Sequence, residues 1–132
     1  GVDFFNDSKS TNIDSLKVAL ESFDRPVVLI AGGRGKGADY RVLCELVGRA
    51  VRHLVTLGED APLLEEAFGS RVPTERATDM EDAVGRAAEA ARPGEVVLLS
   101  PACASFDMFD DFEHRGRVFK EIVLKRAMEA TV

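Results

Sequence analysis

Two cysteines and two histidines are all that 132 residues hold, which leaves little for thiol or metal chemistry. Cys44 falls at an apolar position of a predicted helix and reads as a small core hydrophobe. Cys103 lies in a loop of small residues, with no local base to activate it and no His at metal-ligand spacing, so neither a disulfide nor a zinc site is expected. His53 opens a strand and His114 sits in an acidic helix start; neither has a second ligand at a useful spacing, and no metal ligand is expected on the chain. Positive charge is also short. The net charge is −6, with Lys and Arg interspersed among acids, so the basic stripe that a nucleic acid requires is missing. No apolar run approaches the ~20 residues that span a bilayer, and no signal-like segment opens the chain. A cytoplasmic monomer with no nucleic-acid or membrane partner is expected. Repeats, low-complexity tracts and interior linkers are lacking too, and the length suits one domain. Starting at Gly1 rather than Met, the sequence reads as a piece cut from something longer.

What is present alternates between strand and helix. Phe4-Phe5 reads as a short strand that breaks into Asn6-Asp7-Ser8-Lys9-Ser10-Thr11-Asn12, with Thr11 or Asn12 capping a helix whose Ile13, Leu16, Ala19, Leu20 and Phe23 share one face. Val27 to Ala31 is a continuous β-branched run, the pattern of a strand buried on both faces. Asp39 caps a predicted helix with Val42, Leu43, Leu46, Val47, Ala50 and Val51 inward. His53 to Gly58 is the next strand, followed by a helix over 59–68 that buries Leu63, Leu64, Ala67 and Phe68. Val72 to Ala77, short and polar, suits an edge strand. A helix from Asp79 buries Ala83, Val84, Ala87, Ala88 and Ala91; Glu95 to Leu99 forms a second buried strand; and a helix over 109–127 closes the chain with Phe112, Phe119, Ile122 and Val123 inward. This alternation defines an α/β fold: a single three-layer, Rossmann-like domain with a mostly parallel open sheet flanked by helices.

In such sheets ligands bind beyond the carboxyl ends of the strands. Three polar loops leave strands there, over 6–11, 32–37 and 100–105. The first enters a helix, where unpaired N–H groups and the helix dipole stabilise an anion; Lys9 adds charge, and Ser8, Ser10 and Thr11 add donors. Gly32-Gly33-Arg34-Gly35-Lys36-Gly37 allows close backbone approach. It is not a phosphate-binding Walker loop, because Gly37 stands where the hydroxyl should be, and it misses the third glycine of the dinucleotide fingerprint. Ser105 has neither a neighbouring base nor a nucleophile elbow, which leaves it as a donor toward a carboxylate.

Asn6 to Asn12, Gly32-Gly33-x-x-Lys36-Gly37-Ala38-Asp39, and Leu99-Ser100-Pro101-Ala102-Cys103-Ala104-Ser105-Phe106-Asp107-Met108-Phe109, continued by Phe112-Glu113 and Arg115-Gly116, together resemble the C-terminal domain of the Mur ligases, essentially from end to end. The Ser8-Lys9-x-Thr11-Asn12 version points to the branch that adds D-glutamate. Ser10 stands where Ala is more usual, a small-for-small change expected to be neutral. The resemblance implies an enzyme that uses ATP and Mg2+ to form an acyl phosphate on UDP-N-acetylmuramoyl-L-alanine, which the amine of D-glutamate then attacks, a step in peptidoglycan precursor synthesis. The UDP-binding and central ATPase domains, which hold most of the ATP and Mg2+ contacts, would lie outside this chain, and the domain alone would be inactive. It further implies that Lys36 and Thr11 hold one glutamate carboxylate, and Ser105 and Phe106 with the backbone near Phe112 the other. Lys9 would lie near the transferred phosphate as the catalytic residue, and Asp7 toward the ATP ribose. Another Mur or folylpolyglutamate-type ligase remains an alternative, as does a stand-alone α/β binding module.

Overall fold

The computed structural model describes residues 1–105 and 108–130, the last two of these by backbone only. Five strands, β1 (Asp3–Asn6), β2 (Val27–Gly32), β3 (Val51–Leu57), β4 (Thr74–Arg76) and β5 (Val96–Leu99), form one sheet in the order β1-β5-β2-β3-β4, and every pairing is parallel. The short polar strand β4 is an edge, as its composition predicts. Helices α1 (Ile13–Glu21), α2 (Cys44–Ala50) and α3 (Ala61–Phe68) cover one face, and α4 (Met80–Ala90) and α5 (Phe112–Ala130) the other.

The central strands divide their side chains between the two layers by simple alternation. Val27, Leu29 and Ala31 of β2, with Val96 and Leu98 of β5, meet Leu16, Leu20, Val47, Leu64 and Phe68. Val28, Ile30, Val97 and Leu99 meet Met80, Ala83, Val84, Ala87 and Phe119. All nine strand residues are essentially solvent-free, the reason these two segments read as unbroken apolar runs. Helix starts follow local chemistry: Asn12 accepts from the Ser15 N–H at 2.9 Å, and Asp79 from the Asp82 N–H at 2.8 Å.

Three inward assignments fail, and one buried residue assigned to a helix belongs to a strand. The segment after Asp39 is a 3-10 turn (Tyr40–Leu43) leading into α2, not one continuous helix. The tighter turn changes the angular register of Val42 relative to Val47, and Val42 is 65% exposed. Val51 belongs to β3, opposite Val27, so the strand starts two residues before His53. Leu63 lies half-exposed on α3, because Leu64, Ala67 and Phe68 already fill the inward stripe. Phe112 opens α5 and is 41% exposed, whereas Phe109, ahead of the helix, packs on the second layer and edge-on to His114.

Candidate functional site

Sheet order places the carboxyl ends of β1, β5 and β2 side by side, so the three polar loops leave adjacent strands. Their backbones are laced together. The Asp7 N–H donates to the Leu99 carbonyl (2.8 Å), the Ser100 N–H to Ile30 (3.2 Å), the Gly32 N–H to Pro101 (3.0 Å) and the Ala102 N–H to Ser10 (2.9 Å). Arg34 and Ala104 exchange two hydrogen bonds of 2.9 Å as an isolated antiparallel bridge. The Asp60 N–H reaches the Gly33 carbonyl at 2.9 Å and ties in the loop after β3. Gly33 makes this closeness feasible: its φ is +136°, and a Cβ there would stand 2.3 Å from the Ala104 carbonyl oxygen. Because the loops satisfy one another's main-chain groups, Lys9 and Lys36 are not needed to hold them together.

Asp7 is half-buried and accepts from the Ser100 hydroxyl at 3.1 Å, which fixes its carboxylate over the end of β5. Lys9 and Lys36 are exposed, and neither has an ion-pair partner among the described residues. Thr11 is half-buried next to the Asn12 cap, and Ser105 is buried, its carbonyl accepting from the Met108 and Phe109 N–H groups. Phe106 lies outside the described residues. Lys9 lines two clefts, one shared with Asp7 and Ser10 along α1, the other with Phe112 along α5; neither includes Lys36, Thr11 or Ser105. The loops therefore converge in backbone, while neither cleft that Lys9 lines brings the described ligand-holding side chains together.

The residue that sequence reasoning missed is Arg115. Its side chain is 2% exposed. Nε donates to Ser8 Oγ (3.0 Å), one terminal nitrogen to the Cys103 carbonyl (2.9 Å) and the other to the Ser8 carbonyl (2.6 Å). The Ser8 hydroxyl in turn donates a hydrogen bond to the Phe112 carbonyl at 2.6 Å. One planar cation thus fastens the β1–α1 loop, the loop after β5 and the start of α5. Arg115-Gly116 stands in the motif that carries the family resemblance, but nothing in the sequence assigned the arginine a role beyond that of a solvated charge.

A second buried knot lies under the Lys36 loop. The Tyr40 hydroxyl donates to Asp60 Oδ2 at 2.5 Å and sits 3.0 Å from Cys103 Sγ. The phenol has one O–H and directs it at the carboxylate as a hydrogen bond, so the thiol is the donor to the phenol oxygen. Burial first, then the bond to Asp60, pushes the Tyr40 pKa far above its ordinary value, so the hydroxyl stays protonated. Cys103 is accordingly a structural thiol. Ser10 is less comfortable than expected: its hydroxyl is buried with no hydrogen-bond partner, so the Ala-to-Ser exchange carries a desolvation cost. Among the described residues no group of three or more His, Cys, Asp or Glu side chains could hold a metal ion, and no helix is long and apolar enough to cross a membrane.

A five-stranded parallel sheet flanked by helices, with interlocked loops at adjacent strand ends, defines a Rossmann-like α/β domain. The family profile described as "Mur ligase, glutamate ligase domain" matches residues 1–103, and the chain belongs to that family. Its relatives include the UDP-N-acetylmuramoylalanine–D-glutamate ligases of Salinibacter ruber, 54% identical over 121 residues (91% of this chain and 26% of the relative), and Coxiella burnetii, 48% identical over 126 residues (92% and 28%). That of Chlorobaculum parvum is 50% identical over 127 residues (96% and 27%). The chain thus spans about a quarter of the length of the curated relatives it matches.

Proposed function

We propose that this chain is the C-terminal, amino-acid-binding domain of an ATP-dependent ligase that adds D-glutamate to UDP-N-acetylmuramoyl-L-alanine. The observation that carries the reading is identity near one half, over nine-tenths of the chain, to ligases named for D-glutamate. In the complete enzyme, UDP-binding and central ATPase domains would supply the remaining contacts, including most of those to ATP and Mg2+. ATP supplies the phosphoryl group that activates the muramoyl-alanine carboxylate as an acyl phosphate.

This domain's contribution is capture and positioning. D-Glutamate must attack through a neutral amine while both carboxylates stay charged, so fixed cations and donors are needed at two separated points. Lys36 and Thr11 hold one carboxylate. Ser105 and Phe106, with the main chain around Phe112, hold the other. Lys9 stands toward the transferred phosphate, and Asp7, oriented by Ser100, accepts hydrogen bonds from the ATP ribose. The laced loops keep these groups in place at little entropic cost on binding. Domain closure completes the pocket that the isolated chain leaves open and keeps water from the acyl phosphate.

The test is phosphate release by the complete enzyme with UDP-N-acetylmuramoyl-L-alanine, ATP and Mg2+, offered D-glutamate, L-glutamate and other amino acids in parallel. Release specific to D-glutamate is expected. In Lys36→Ala the D-glutamate KM should rise at least roughly tenfold, the scale of one lost charged hydrogen bond, with thermal stability unchanged. Preference for a different amino acid would move the chain to another ligase of the superfamily, and silence in a well-folded protein would move it to a stand-alone binding module.

A further inference from the structure

The loop that carries Lys36 is fixed from beneath by side chains that have no part in the proposed capture of D-glutamate. Asp60 is the last residue before α3, the position from which Asn12 and Asp79 accept a hydrogen bond from their own helices. Its carboxylate makes no such cap and takes the Tyr40 hydroxyl instead, at 2.5 Å. The main chain of Gly35 lies directly against this pair, since a Cβ there would collide with the Asp60 carboxylate and with the Tyr40 hydroxyl. The Asp60 N–H also holds the Gly33 carbonyl, and Arg34 forks onto Glu59 at 3.1 and 3.2 Å. Lys36 therefore stands between anchored residues, Gly33 to Gly35 on one side and Tyr40 on the other.

The same knot reaches the loop that carries Ser105. Cys103, two residues before Ser105, places Sγ 3.0 Å from the Tyr40 hydroxyl oxygen, and both side chains are buried. Beside them Arg34 and Ala104 exchange their two main-chain bonds. A chain of hydrogen bonds, thiol to phenol to carboxylate, thus spans from one loop to the other. Packing alone does not require it: a phenylalanine at position 40 would fill the same space without drawing a carboxylate away from its capping position and partly out of water. We infer that Tyr40, with Asp60 and Cys103, is a positioning residue that sets the spacing between the Lys36 and Ser105 loops, and so the length of the dicarboxylic amino acid the domain accepts. The inference rests on the reading above, in which Lys36 and Ser105 hold opposite carboxylates, and adds the residues that fix the distance between those two holds. Glutamate and aspartate differ by one methylene, a difference worth roughly 10–200-fold to a well-held site.

The experiment is steady-state kinetics of the complete enzyme with D-glutamate and with D-aspartate, for the parent protein, Tyr40→Phe, Asp60→Ala and Asp60→Asn. Tyr40→Phe keeps the ring and loses only the hydroxyl. It should raise the D-glutamate KM about fivefold, the scale of one lost hydrogen bond, with kcat and the KM for ATP changing less than about twofold. The preference for D-glutamate over D-aspartate should narrow by a similar factor. Asp60→Ala should do at least as much, and Asp60→Asn, whose amide oxygen can still accept from the phenol, should recover most of that loss. Melting temperatures are read on the same samples. A lower melting temperature with the KM and the glutamate-to-aspartate preference unchanged makes the knot a stability feature alone and overturns the proposal. So does a KM that rises equally for both amino acids. A parent enzyme that takes no D-glutamate removes the amino-acid reading and this proposal with it, whereas a parent that takes D-glutamate with variants that keep its preference removes this proposal alone.

Discussion

The two ends of the sheet order spend their polar groups in opposite ways. Around β4 and α4, side chains tie to side chains: His53 and Arg86 both bond Glu75, Arg86 also bonds Asp82, and Arg76 and Thr56 share Glu65. Around the carboxyl ends of β1, β5 and β2, main chain ties mostly to main chain, one buried arginine closes the knot, and Lys9 and Lys36 have no ion-pair partner among the described residues, although Arg34 pairs with Glu59. The first arrangement uses up its charges in holding itself together. The second holds itself together by other means and keeps charge in reserve, the electrostatic condition for taking up an anion.

Removing Arg115 attacks the reserved end most directly. Arg115→Ala strands two carbonyls and a hydroxyl in a buried space and should cost on the order of 3 kcal/mol or more by urea denaturation, with Arg115→Lys recovering part of it. A cost near zero would mean that the loops hold without their clamp. Gly33→Ala tests the main-chain lacing: the left-handed backbone and the Ala104 carbonyl both oppose a side chain, and a loss of roughly 2–3 kcal/mol is expected, with faster amide exchange at Arg34 and Ala104. Ser10→Ala moves the other way. It removes a buried hydroxyl that has no partner and should raise stability by about 1 kcal/mol.

The self-paired end is best probed with acid. The bond from His53, with help from Arg86, holds the Glu75 carboxyl below its ordinary value, and Arg76, with help from Thr56, does the same for Glu65. Carboxylates with lowered folded values add stability that is complete above their unfolded pKa of 4.5 and is lost as pH falls through the folded values. These groups are partly exposed and solvent-screened, so each is worth no more than about 1 kcal/mol. In Glu65→Gln the loss of stability between pH 6 and pH 3 should be shallower than in the parent protein; an identical slope would show that the pair contributes nothing.

The buried strands, helix caps and loop convergence were legible because each is written locally, in β-branched runs, capping side chains and glycines. The sequence misled where a short element changed the register. Val42 and Val51 fit one helical stripe on paper, yet a 3-10 turn and a strand start divide them. The clamp role of Arg115 was hidden for a different reason. Its burial depends on Ser8 and Cys103, residues far away in the chain, and nothing adjacent to it distinguishes a clamp from a surface charge. The Tyr40, Asp60 and Cys103 knot has the same long-range character.

The position of β5 has a consequence for the order of folding. It lies between β1 and β2, and β1 has no other neighbour in the sheet, Phe4 pairing with Val97. The first strand must therefore wait, unpaired, until almost the whole domain has been synthesised, and that loop closure is among the longest the fold requires. Strands β2, β3 and β4 can associate earlier, since they are neighbours in sequence as well as in space. The Asn6 to Asn12 loop becomes ordered only when β5 slots in beside it. The convergence of the three loops thus arrives last, as a report that the rest of the chain has folded.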